Sequence, residues 1–197
     1  MTESHFFAMI SRMKYIERWA LMRNSIKENL SEHSLEVAMI AHVLATLNNV
    51  RLGGSLDADR AALIGLYHDS AEIITGDMPT PIKYYNPQIK EAFHAVEDVA
   101  GRRLIALLPE DLQEIYRPIF FKEEEDAYLW KLVKAADKLS ALIKCIEEEK
   151  TGNREFILAG QAAREKLEEM PLPELKIFLE EFLPAYSLTL DEMGETT

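Results

Sequence analysis

His68-Asp69 lies near the end of an apolar stretch, ahead of Thr75-Gly76-Asp77-Met78-Pro79-Thr80-Pro81, a run whose glycine and prolines enforce a loop. Alone, such a pair reads first as a histidine hydrogen-bonded in a helical core. Its company changes the reading. His33 follows Glu32 at the opening of an earlier apolar segment, and Asp137 interrupts Leu132-Val133-Lys134-Ala135-Ala136-Asp137-Lys138-Leu139, where a carboxylate loses hydration unless it is paired or bound to metal. Two imidazoles and two carboxylates form a mixed nitrogen and oxygen donor set, suited to one borderline divalent transition ion better than to calcium or a thiolate-bound zinc. Four such ligands leave room for water and a substrate oxygen. A metal ion there brings the pKa of bound water from about 15.7 toward roughly 7 in the most favourable zinc case. Such an ion can make water the nucleophile, so none is needed from the protein.

These residues must be positioned by helices. Apolar residues recur at three- and four-residue steps, and no run of alternating β-branched residues stands between turn signals, so the fold class is all-α. Ser4 is the expected cap of a first helix reaching about Tyr15, and Ser31 of a second carrying His33. Gly53-Gly54-Ser55 ends that pattern. Asp57 is expected to start a third helix, Ala58 to about Ile74, which carries His68-Asp69. A long helix is predicted from Pro87 to Leu107, a short one from Glu110 to Tyr116, and one from about Glu124 to Glu149 that carries Asp137 and stops at Gly152-Asn153. Segments Arg154 to Met170 and Pro173 to Phe182 follow, and Gly194 to Thr197 are expected to fray. The economical description is a single helical domain over 1–197, its core at about 28–150, with an N-terminal helix and C-terminal helices packed on it.

A chain of 197 residues, 48% apolar and 28% charged, is large and apolar enough to bury one substantial core. The net charge of -12, without any Lys/Arg-rich run, disfavours a nucleic-acid polymer as partner, while a few focused arginines still admit a small anion. Cys145 is the only cysteine, which excludes an intrachain disulfide and any cysteine-rich zinc site. With no basic leader and no apolar run of the roughly 18–20 residues needed to cross a bilayer, a cytoplasmic protein without a membrane partner is expected.

His33, then His68-Asp69, then Asp137 resembles the H…HD…D signature of the HD-domain phosphohydrolases. Longer stretches narrow the likeness: Ser4-His5-Phe6-Phe7, Glu17-Arg18-Trp19-Ala20-Leu21-Met22-Arg23-Asn24, Ser31-Glu32-His33-Ser34-Leu35, Thr75 through Tyr84, and Leu188-Thr189-Leu190-Asp191-Glu192. Together they resemble the bacterial 5′-deoxynucleotidase branch of that superfamily, over essentially the whole chain. One departure is Ser70-Ala71-Glu72, where the family is associated with Ala-Ser-Glu; it puts in doubt a hydrogen bond from a serine at position 71.

The resemblance implies a single HD-domain helical bundle that hydrolyses deoxyribonucleoside 5′-monophosphates to deoxyribonucleosides and phosphate, by in-line attack of metal-activated water. It further implies a homodimer and a divalent ion such as cobalt or manganese, held by His33, His68, Asp69 and Asp137. Glu72, three residues beyond Asp69 and on the same face of a continuing helix, is placed to move a proton. Its plainer reading is a solvated helix-end glutamate. Arg18 offers a planar fork for phosphate and for charge developing in transfer, against the commoner fate of a surface arginine. Trp19 is either core filler or, as the resemblance implies, an indole at the sugar that excludes a 2′-hydroxyl. His33 also belongs to the implied substrate site. Asp77 is suited to the sugar 3′-hydroxyl and Thr80 to phosphate or sugar, although both also suit local turn bonds. His5, His42 and His94 read as structural. Competing functions are an HD-domain hydrolase of nucleoside triphosphates, cyclic nucleotides or guanosine tetraphosphate, and a catalytically silent nucleotide-binding module.

Overall fold

The computed structural model describes residues 3–194 except Tyr84, and the Thr80 side chain also lies outside the described residues. The fold is helical, and the strand-like contact among the described residues is an isolated antiparallel bridge between Glu17 and Asn29. The helices are α1 (Phe6–Ile10), continued by a 3-10 turn over Ser11–Tyr15, then α2 (Leu30–Leu52), α3 (Ala58–Tyr67), α4 (Glu72–Thr75), α5 (Thr80–Lys83) and α6 (Pro87–Ile105). They continue with α7 (Glu110–Phe120), α8 (Ala127–Lys150), α9 (Ile157–Glu168), α10 (Pro173–Glu181) and α11 (Leu190–Gly194).

The cap of α2 is Asn29 and not Ser31. The Asn29 side chain accepts from the Ser31 and Glu32 N–H groups at 3.0 and 3.1 Å, while the Glu32 carboxylate accepts the Asn29 N–H at 3.0 Å. This reciprocal box satisfies donors at a helix start that otherwise have no partner. Ser4 does not cap α1 either; its hydroxyl donates to the Leu107 carbonyl at 2.7 Å, tying the N-terminus to the end of α6. At the other end of α2, Gly53 takes the left-handed conformation (φ 75°) that closes the helix.

The predicted third helix is interrupted. Regular α-structure ends at Tyr67, and the chain crosses His68–Ala71 on shorter-range bonds, Ser70 N–H to Tyr67, Glu72 N–H to Asp69 and Ile73 N–H to Ser70, before α4 begins. His68 and Asp69 therefore stand in a tightened turn, free of the fixed azimuth of a regular helix. The short helix predicted to end at Tyr116 instead runs to Phe120, with Pro118 in its last turn.

The main core brings together α2, α3, α8 and α10 through Val37, Leu44, Ile64, Leu132, Leu139 and Leu175. Phe178 and Leu183 are also buried there, whereas Phe182 keeps 36% of its surface exposed. A smaller cluster seats Phe6 against Leu104 and Leu108, with Tyr67, Tyr116 and Phe120 around it. Among the described residues no helix is long and apolar enough to cross a membrane.

The contact that aims the site is the approach of α3 to α2. A Cβ on Gly65 would lie 2.8 Å from the Ala38 Cα, a backbone atom that cannot swing away. Gly65→Ala is expected to force the helices apart and cost about 1–3 kcal/mol. At roughly 2–4 °C per kcal/mol for a chain of this size, calorimetry should show the midpoint falling by several degrees; an unchanged midpoint would remove this packing argument.

Candidate active site

α2 delivers His33 one turn after its capped start, the turn after α3 delivers His68 and Asp69, and the middle of α8 delivers Asp137. One ligand atom from each of the four lies within 4.8 Å of every other. His33 Nε2 is 3.4 Å from Asp69 Oδ2 and 3.3 Å from Asp137 Oδ1, and His68 Nε2 is 3.0 Å from Asp69 Oδ2. The His33 imidazole is fully buried and that of His68 keeps only 9% of its surface exposed, while the Asp137 side chain keeps 37%, so the group opens toward solvent on its carboxylate side.

The other ring nitrogens fix the tautomers. His68 Nδ1 lies 2.8 Å from the Gly65 carbonyl, which can only accept, so Nδ1 carries the proton. His33 Nδ1 lies 3.0 Å from Ser140 Oγ, and that hydroxyl donates its own hydrogen to Glu36 at 2.5 Å; His33 Nδ1 is again the donor. With Nδ1 as the donor, Nε2 is the atom each ring turns inward, the one that carries the lone pair in the neutral imidazole, and both Nε2 atoms are buried without a hydrogen bond. In the metal-free protein burial opposes ionisation of Asp69, but the positive charge of His68 and the N–H groups of His68 and His33, present while those rings are protonated, outweigh that and hold it well below the usual carboxylate range. Burial likewise opposes ionisation of Asp137, and His33 brings it down to about 2. Two inward Nε2 atoms without hydrogen bonds and two carboxylates within reach of them are a donor set that a divalent cation fits, the cation taking the place of the protons, with the outer hydrogen bonds found behind metal-binding histidines.

Glu72, Arg18 and Asp77 lie close enough to this group to interact with Asp69. Glu72 is 4% exposed, and its Oε2 makes no hydrogen bond. Burial first, then repulsion from Asp69 and Asp77, pushes it up to about 10, opposed by Lys83 and Arg18. A dication beside Asp69 would offset part of that repulsion and lower it. Arg18 points Nη2 at Asp137 Oδ1 (4.0 Å) and gives Nη1 to Glu28 Oε2 (2.7 Å). Asp77 is half-buried; burial raises it, while Arg18, the Trp19 N–H and Lys83 pull it back. Trp19 holds φ at 59°, a left-handed conformation that costs a bulky residue about 1–3 kcal/mol. α5 begins at Thr80, whose side chain is not among those described. His42 faces Asp59 at 3.6 Å and His94 faces Glu97 at 3.0 Å, each outside the four-residue group.

Two contributors were not singled out in the sequence. Glu36 and Ser140 sit three residues after His33 and Asp137, and that one-turn spacing was the available signal. Lys83, 4.0 Å from Glu72 and 3.0 Å from Glu97, had no local signal separating it from a solvated lysine.

The loop that carries Arg18 and Trp19 is clamped to α8 by a buried ion pair. Lys144 Nζ contacts Glu148 at 2.5 Å and the Ile26 carbonyl at 2.5 Å, and Glu148 accepts the Ser25 N–H at 2.8 Å. Burial disfavours the Glu148 anion, but Lys144, Asn153 and Ser25 outweigh it and hold the carboxyl below its ordinary range. Such a depressed group contributes stability above its unfolded pKa near 4.5 and loses it as pH falls through the folded value. Glu148→Ala leaves Lys144 buried without its partner and is expected to cost about 3–5 kcal/mol at neutral pH. The deficit relative to the parent should shrink on acidification in denaturant titrations; a deficit independent of pH would contradict the clamp.

A profile of the family described as 5′-deoxynucleotidase YfbR-like matches residues 5–186. The chain is 46% identical over 194 residues to a 5′-deoxynucleotidase of Vibrio vulnificus strain YJ016, covering 98% of this chain and 100% of that one. It is also 46% identical over 199 residues to the 5′-deoxynucleotidase YfbR of Shigella boydii serotype 18, covering 99% and 98% respectively. An HD-domain phosphohydrolase from Listeria innocua superposes with a TM-score of 0.81 at 25% identity, over 92% of this chain and 88% of that one.

Proposed function

The chain belongs to the 5′-deoxynucleotidase YfbR-like family, and from that premise we propose that it hydrolyses deoxyribonucleoside 5′-monophosphates to deoxyribonucleosides and phosphate, using one divalent metal ion held by His33, His68, Asp69 and Asp137. The observation that carries the reading is the pair of buried Nε2 atoms without hydrogen bonds gathered with two carboxylates within reach of one ion. When bound, the ion supplies Lewis acidity, making water a stronger acid and offsetting phosphoryl charge.

The chain's own residues supply the rest. Hydrolysis consumes one water, breaks the P–O5′ bond and needs a proton at the departing 5′-oxygen. Glu72 is the proton-transfer group, since its Oε2 is buried without a hydrogen bond and its carboxyl interacts with Asp69. Arg18 keeps Nη2 4.0 Å from Asp137 Oδ1, beside the proposed ion, where a fixed positive charge holds the phosphate and stabilises its equatorial oxygens. Trp19 flanks the sugar and excludes a 2′-hydroxyl, Asp77 accepts from the 3′-hydroxyl, and Thr80 completes the phosphate and sugar contacts. His33 borders the substrate as well as the ion.

The nitrogen and oxygen donor set supports cobalt or manganese as the resident ion. We extend the reading to a homodimer in the cytoplasm. Metal-loaded protein incubated with deoxynucleoside monophosphates, their ribo counterparts, triphosphates and cyclic nucleotides should release phosphate fastest from the deoxy monophosphates. A preference for triphosphates or cyclic nucleotides would replace this substrate with another of the HD-domain class, and no release from any would indicate a silent binding module.

A further inference from the structure

Resting on that reading of Arg18 and Trp19, we propose that Glu28 is a positioning residue which couples the grip on phosphate to the choice of sugar. A single atom makes the link. Glu28 Oε2 accepts Arg18 Nη1 at 2.7 Å and Trp19 Nε1 at 3.0 Å, while the Glu28 backbone carbonyl accepts the Arg18 N–H at 3.0 Å. The two adjacent side chains are therefore fixed by one carboxylate on the facing segment, beside the bridge between Glu17 and Asn29.

This arrangement does two things that neither neighbour does for itself. Trp19 holds a left-handed φ of 59°, unusual for a bulky side chain, and its indole N–H has Glu28 as acceptor. The ring is further braced against Phe156, with centroids 5.3 Å apart. Arg18 and Glu28 are 11% and 13% exposed, so their charge-assisted bond is shielded from water. It holds Nη1 back while Nη2 stays 4.0 Å from Asp137. Without Glu28, the guanidinium's remaining ion-pair neighbour among the described residues is a proposed metal ligand, and Arg18 would turn onto Asp137 instead of a phosphate.

The test compares Glu28→Ala with Glu28→Gln, because the glutamine oxygen can keep both hydrogen bonds without the charge. Glu28→Ala is expected to raise KM for a deoxynucleoside monophosphate about tenfold or more and to lower the deoxy-to-ribo ratio of kcat/KM at least about fivefold, the scale of a lost charged and a lost neutral hydrogen bond. Metal content should remain at the parent value. Glu28→Gln should raise KM but keep the ratio within about twofold, since its neutral acceptor still holds the indole. A ratio in Glu28→Ala equal to the parent's overturns the proposal; should that variant fail to fold, an unchanged KM in Glu28→Gln overturns it. In a Trp130→Phe background, Trp19 emission reports the same contact without turnover, and identical emission with and without the Glu28→Ala change also overturns it. Absence of deoxynucleotide turnover in the parent would instead sink the assigned activity, leaving the emission comparison to decide the positioning role.

Discussion

Glu72→Gln should lower turnover of deoxynucleoside monophosphates by about 10²–10⁴-fold, the usual contribution of a positioned proton-transfer group, while metal content stays at the parent value. The side chain is almost fully buried, and Oε2 has no hydrogen bond to lose. Stability should move the other way. Folding raises Glu72 from an ordinary 4.5 to about 10, so in metal-free protein it binds its proton more tightly folded than unfolded. Stability from such a raised group is fully present below pH 4.5 and declines as pH rises toward 10. The glutamine, which cannot ionise, escapes that decline. Thermal midpoints of the two metal-free proteins should therefore diverge in favour of Glu72→Gln as pH increases. Full turnover in the variant would remove Glu72 from the mechanism, and parallel midpoints would remove the burial argument.

Asp137→Ala is expected to abolish phosphate release and the bound ion together. Asp137 lies 3.3 Å from His33 Nε2, and alanine leaves a three-ligand set with one fewer negative charge. A ligand present at 100 times its Kd stabilises the folded state by about 2.7 kcal/mol. A chelator should accordingly lower the midpoint of the parent by several degrees and leave Asp137→Ala unmoved. Equal responses to the chelator would mean that Asp137 does not hold the ion.

The ligand set was legible in the sequence because each member is out of character locally: an aspartate within Leu132 to Leu139, and a His-Asp pair ahead of a proline-rich loop. Helix class and most boundaries followed from periodicity and from Asp57, Gly53 and Gly152. The break after Tyr67 was not legible, since no glycine or proline marks it; it appears only as the tightened bonds through His68–Ala71. Ser31 looked like the cap of α2 because hydroxyl residues favour that position, but Asn29 with Glu32 makes the reciprocal pair. Glu28 was silent because its meaning lies in contacts ten and nine residues back along the chain. Gly65 was silent too, as its role is a carbonyl under His68 and a bare Cα against Ala38.

Crystals grown with manganese or cobalt and measured at the metal's absorption edge give the most direct check. One anomalous peak per chain is expected about 2.0–2.3 Å from His33 Nε2, His68 Nε2 and a carboxylate oxygen each of Asp69 and Asp137. No peak at saturating metal, or a peak held by other side chains with these four left as they stand, would contradict the metal centre and the hydrolysis built on it.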